Sequence, residues 1–172
     1  MVSRINITQS MKTLAKERAD LTLLNLKRLG KQQYTGITRE NAFYDGYLGE
    51  LVMLELLKQE GIQGAYRHRS DGVADNRPEF LINTPMGDRE FDVKTATKPF
   101  HIRIMMPAKQ LIAHDSQYYV GVRLCGEIGE IHGFCGKDQF QYKDDGFTTD
   151  HAPTYYMLLR DLKPIEQLWT PE

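Results

Sequence analysis

Cysteine is scarce in this chain: its 172 residues hold two, Cys125 and Cys135. They leave room for one disulfide at most, and in a chain expected in the cytoplasm the reduced pair is the better reading. Together with His132 and His151 they spell Cys-x6-His-x2-Cys-x15-His, which matches no standard zinc-finger spacing and falls inside a plausible strand pair. Long apolar runs are missing too. None approaches the roughly 18 residues of a membrane span, and the amino terminus has no signal-peptide pattern, so no membrane partner and a cytoplasmic location are expected. No repeat, Pro-rich linker or low-complexity tract divides the sequence. One domain over 1–172 is expected, long enough to bury a substantial core.

Charge of one sign is also lacking. The net charge is −1, which by itself gives no reason to expect a polyanion as partner. The distribution is more informative. Residues 1–40 carry Arg4, Lys12, Lys16, Arg18, Lys27, Arg28, Lys31 and Arg39 against Glu17, Asp20 and Glu40, so the remainder of the chain is acidic. A basic arm on an acidic body suits phosphate binding, and an ordinary solvated helix face accounts for it equally. A helix capped by Thr8 or Ser10 is expected there, with Met11, Leu14, Ala15, Leu21 and Leu24 on its apolar stripe and Gly30 as its stop. Packing of that helix on the core is the preferred reading.

The stretch with most chemistry is Arg89-Glu-Phe-Asp-Val-Lys-Thr-Ala96, preceded by Pro78-Glu79-Phe80. As a strand it alternates, with Phe91, Val93 and Thr95 on one face and Asp92 and Lys94 on the other. Pairing of residues 78–82 with it, through a turn over 84–88, brings in Glu79. Carboxylates converging at a hairpin end make a hard-oxygen pocket for a magnesium-like ion, and a lysine beside it suits an attacking water. A surface ion pair between Asp92 and Lys94 is the plain alternative.

Glu50 tips the balance. Residues 41–60 read as a helix in which Phe43, Gly46, Tyr47, Glu50, Met53, Leu54 and Leu57 share a stripe. A carboxylate in an apolar stripe needs a partner, a proton or a cation. Gly46 and Gly49 each weaken the helix by about 1 kcal/mol relative to Ala, which points to close packing at that turn.

A helix with Gly49-Glu50, an acid after proline (Pro78-Glu79) and an Asp-x-Lys strand (Phe91-Asp92-Val93-Lys94-Thr95) resembles, in that order, the PD-(D/E)xK nuclease superfamily. The resemblance implies a restriction-endonuclease-like α/β fold: a mixed central sheet flanked by helices, with core residues 38–135, a helical basic extension over 1–37 and further elements over 136–172. It implies a Mg2+- or Mn2+-dependent nuclease acting on DNA. Glu79, Asp92, the Val93 carbonyl and Glu50 would hold the metal, and Lys94 would serve the nucleophilic water. Glu79 stands where the family usually has Asp, and Asp75 competes for that role. A homodimer would suit paired cuts in two strands. A catalytically silent nucleic-acid-binding module and an interaction protein with a buried ion-pair network are the competing readings.

Elsewhere, strands are expected over 65–69, 98–106, 117–124, 127–134 and 154–159. His101 and Arg103 would share one face of the second of these, with Ile102 and Ile104 on the other. A short helix opens at Pro107, with Lys109 and Gln110 as weak candidates for the scissile phosphate, and a closing helix covers 164–169. His68 and Arg69 lie in a loop beside the expected site.

Overall fold

The computed structural model describes residues 2–30, 37–67, 78–143 and 154–170. The chain opens with a strand that the sequence reading missed, β1 (Ser3–Asn6), four residues of which only Ile5 is buried. So short an alternation carries little signal. Thr8 then caps α1 (Gln9–Arg28): its hydroxyl accepts the Met11 N–H at 3.3 Å, and Gly30 ends the helix at φ +71°. The helix turns a different face inward than its leucines suggest. Ala15, Ala19, Leu23 and Leu26 are buried against α2 (Ile37–Gln59), while Leu21 and Leu24 face solvent. Ala15 and Ala19 are small enough to let the two helices approach closely, and Leu23 and Leu26 continue the buried face towards the end of α1.

Helix α2 begins earlier than expected and is covered on both sides, by α1 and by the sheet, so Tyr47, Leu48, Leu51, Val52 and Met53 are all buried. A Cβ on Gly49 would stand 2.1 Å from the Thr95 hydroxyl oxygen, whereas one on Gly46 would meet nothing within 4 Å. Close packing therefore explains the first glycine and not the second.

The main sheet also contains β2 (Gly64–Tyr66), β3 (Phe80–Thr84), β4 (Gly87–Ala96), β6 (Tyr118–Cys125) and β7 (Ile128–Gly136). Among the described residues its order is β1-β7-β6-β4-β3-β2, antiparallel except where β4 runs parallel to β6. The fold is thus mixed α/β, and what was expected to be a helical extension begins with a strand on the sheet edge. One face of the sheet packs Phe91, Val93, Val120 and Val122 against α2. The other packs Ala96 and Tyr119 under a second sheet, β5 (Arg103–Pro107), β9 (Thr154–Leu158) and β8 (Gln141–Lys143), in the order β5-β9-β8.

Several expected elements change their bounds. β5 starts at Arg103 because residues 98–101 turn, the His101 N–H bonding the Lys98 carbonyl at 3.0 Å. Ile102 precedes the strand and is exposed, so it shares no buried face with Ile104. Residues 108–113 form α3 (Ala108–Ala113), and the closing helix is a 3-10 turn over Ile165–Leu168. No helix among the described residues is long and apolar enough to cross a membrane.

Candidate active site

A two-residue turn at Pro85-Met86 joins β3 to β4 and pairs Phe80 with Phe91. Beyond Phe91, β4 keeps β6 on one side, but no described strand lies on the β3 side. Glu79 stands in for one. Its N–H donates to Asp92 Oδ1 at 3.1 Å, and its Oε2 accepts the Val93 N–H at 2.9 Å. The N–H and C=O of a strand residue lie on the same edge, so the Val93 carbonyl is on this open edge as well.

Asp92 is fully buried and fully engaged. It accepts from the Glu79 N–H and is hydrogen-bonded to His114 Nδ1, and Lys94 Nζ stands 3.6 Å from its Oδ2. Lys94 lies 5.9 Å from the Tyr119 ring centroid, within cation–π range. Asp92 and Lys94 therefore share a face, as strand alternation requires, and that face is interior.

Glu50 enters from α2. Tyr66 donates its hydroxyl to Glu50 Oε2 at 2.5 Å and accepts from Arg18 at 2.5 Å, which ties α1, α2 and β2 together at the site. Tyr66 is itself stacked on Phe80 at 4.8 Å, so the donor is held in place.

The three acids respond differently to their surroundings. Burial pushes Glu50 up to about 7, against the opposing pull of the Tyr66 hydrogen bond and the charges of Arg18 and Lys94. Glu79 is raised well above the ordinary range, first by burial and then by Glu50 and Asp92. Burial alone would raise Asp92 as well. The His114 hydrogen bond, the charges of Lys94 and His114 and the Glu79 N–H outweigh it and hold Asp92 below the usual carboxylate value. Glu50, Glu79, Asp92 and Lys94 thus feel one another electrostatically, and the structure brings all four together.

Sequence reasoning missed three participants. His114 follows α3, at the opposite end from the proposed Lys109 and Gln110, and it is His114 that reaches Asp92. Tyr66 and Arg18 carried no motif signal, because their roles depend on β2 and α1 meeting at Glu50. Asp75, His68, Arg69 and His151 lie outside the described residues. The two thiols are free, and register puts them at opposite ends of the β6–β7 ladder, Cys125 beside Ile128 and Cys135 beside Tyr119, too far apart to bridge.

Among the described residues, no three His, Cys, Asp or Glu side chains gather as a metal cage. What fold and site define is a class: a mixed α/β protein with a buried, cation-poor acidic cluster at an open strand edge. Comparison with family models and with curated proteins found no match to this chain.

Proposed function

We propose that this protein is a divalent-metal-dependent nuclease that hydrolyses phosphodiester bonds in DNA, built on a restriction-endonuclease-like core and working in the cytoplasm. One observation carries the reading: Glu50, Glu79 and Asp92 converge with Lys94 where β4 has no described strand on its β3 side. The donors fit magnesium or manganese. They are oxygens throughout, and two of the carboxylates are lifted in pKa by burial among like charges, a condition that a cation relieves. Magnesium keeps several waters and is commonly held by one or two carboxylates, so a cage of three protein side chains is not required.

Glu79, Asp92 and the Val93 carbonyl would hold the ion, with Glu50 completing the set. When bound, it would neutralise the phosphate and acidify water. The protein's own groups supply the rest. Lys94 offers ammonium hydrogens to an attacking water and positive charge to the developing phosphorane. Asp92 holds Lys94 in place and is itself fixed by His114 and by the Glu79 N–H. Glu50, its charge answered once the set is filled, would keep the carboxylate cluster ionised, while the attacking water gives its proton to solvent as the new P–O bond forms and the departing oxygen takes one from solvent as the opposite bond breaks.

Cleavage of supercoiled and linear DNA with magnesium or manganese is the test. Lys94→Ala should lose at least about 100-fold in rate while still folding, with a lowered melting temperature because buried Asp92 loses a charge partner, and Asp92→Ala should be inactive. Unchanged cutting by Lys94→Ala overturns the assignment.

A further inference from the structure

We infer that residues 98–103 form a stacking platform for an unpaired nucleobase. Resting on the nuclease reading, this makes the substrate a polynucleotide with unpaired bases beside the cleavage site. The segment leaves β4 just past the site: Phe100 follows Lys94 by six residues, a reach of at most about 20 Å. It is held at both ends, by the His101 N–H on the Lys98 carbonyl at 3.0 Å and by the Leu159 N–H on the Ile102 carbonyl at 2.9 Å.

On that fixed turn, apolar side chains point outward. Phe100 and Ile102 are among the most exposed large hydrophobics of the described residues, at 76% and 65%. A single exposed apolar residue is ordinary; two of them two positions apart on one tethered turn call for an occupant. Phe100 is braced edge-on by His101, ring centroids 5.0 Å apart, so a ring face is held for stacking.

Charge selects the occupant. From Val93 to His114 the sequence has Lys94, Lys98, Arg103 and Lys109 and no Asp or Glu. Arg103 lies over the Tyr156 ring at 5.6 Å, and the charge of Lys98 acts on Asp45 of α2, which places Lys98 beside the helix that carries Glu50. An exposed aromatic flanked by Lys98 and Arg103, within about 20 Å of chain reach of the proposed phosphodiester site, fits a base flanked by phosphates, since every base has a π-face whatever the sequence. A second copy of this chain, or an anionic membrane, would use the apolar residues without needing the ring.

Binding of labelled oligothymidylate and of a blunt duplex, measured by fluorescence anisotropy without divalent ions, tests this. Phe100→Ala should weaken oligothymidylate binding by about 5- to 100-fold and leave duplex binding unchanged, and Phe100→Trp should restore it. Phe100 is exposed, so the substitutions spare the fold. Lys98→Gln should weaken binding and flatten its salt dependence. No binding of oligothymidylate by the wild type, or equal binding by Phe100→Ala, overturns the platform. So does a Phe100→Ala defect confined to phosphatidylserine vesicles or to dimerisation. Binding that depends on Phe100 without Lys94-dependent cleavage would leave the platform standing and remove the nuclease. Lys94-dependent cleavage with no role for Phe100 would do the reverse.

Discussion

Glu130 on β7 and the Glu50, Glu79 and Asp92 group around β4 are both buried carboxylate sites, yet they are completed in opposite ways. Glu130 accepts two hydrogen bonds from Arg123, at 2.6 and 3.0 Å, and has Arg4 at 3.2 Å and His132 at 3.5 Å. The Arg123 bonds outweigh the effect of burial and hold its carboxyl below the ordinary range. Around β4, three carboxylates share Lys94, Arg18 and His114, and two of the three are still driven upward. The first site is finished by the protein's own cations. The second spreads its cations over three carboxylates and leaves two of them raised, a deficit that the proposed metal would fill.

The contrast can be broken most directly by removing charge from each site. Glu50→Gln should stabilise the protein at pH 8 by about 3 kcal/mol, because it removes a charge that burial opposes. The wild type should show the same effect against pH. Glu50 ionises near 4.5 in the unfolded chain and near 7 in the fold, so the native state binds more protons between those values. Stability should therefore fall as pH rises from about 4.5 through 7, with Glu79, also raised, adding to the fall in the same direction. Glu50→Gln should flatten that slope in urea titrations, and an unaltered slope would show that the site is not short of cations.

Magnesium sharpens the comparison next. At about a hundredfold over its dissociation constant it should add roughly 2.7 kcal/mol, seen as a raised melting temperature. Asp92→Asn should abolish the gain, whereas Glu130→Gln should keep it. Glu130→Gln should cost about 1–3 kcal/mol in its own right, the reverse of Glu50→Gln, because it weakens charge-assisted bonds that are already made. The smallest effect belongs to Tyr66→Phe. Loss of the hydroxyl removes a hydrogen bond that lowers Glu50, so the variant should titrate Glu50 higher and lose about 1 kcal/mol above pH 7.

The elements that the sequence made legible are those governed by short-range periodicity. Strand alternation placed Asp92 and Lys94 on one face, an apolar stripe marked Glu50 as inward-facing, and the close packing expected at Gly46 and Gly49 is found at Gly49, where Thr95 supplies it. The stripe drawn on α1 was rotated: Ala15 is buried as expected, but Leu14, Leu21 and Leu24 are exposed while Ala19, Leu23 and Leu26 face inward. β5 was drawn too long because a turn at residues 98–101 interrupts an otherwise strand-like run.

Local chemistry alone fixed that Glu50 carries charge in an apolar stripe and that Asp92 and Lys94 share a face, because alternation and helical stripes are properties of neighbouring positions along the chain; that the Asp92 face is interior was settled by the second sheet that covers it. Tertiary structure decided who answers those charges. His114 reaches Asp92 across 22 residues, Tyr66 reaches Glu50 across 16, and Arg18 reaches Tyr66 across 48. No local pattern encodes such separations: they exist because α1, α2 and the sheet close on one another, and the same closure withholds water from the carboxylates and raises Glu50 and Glu79.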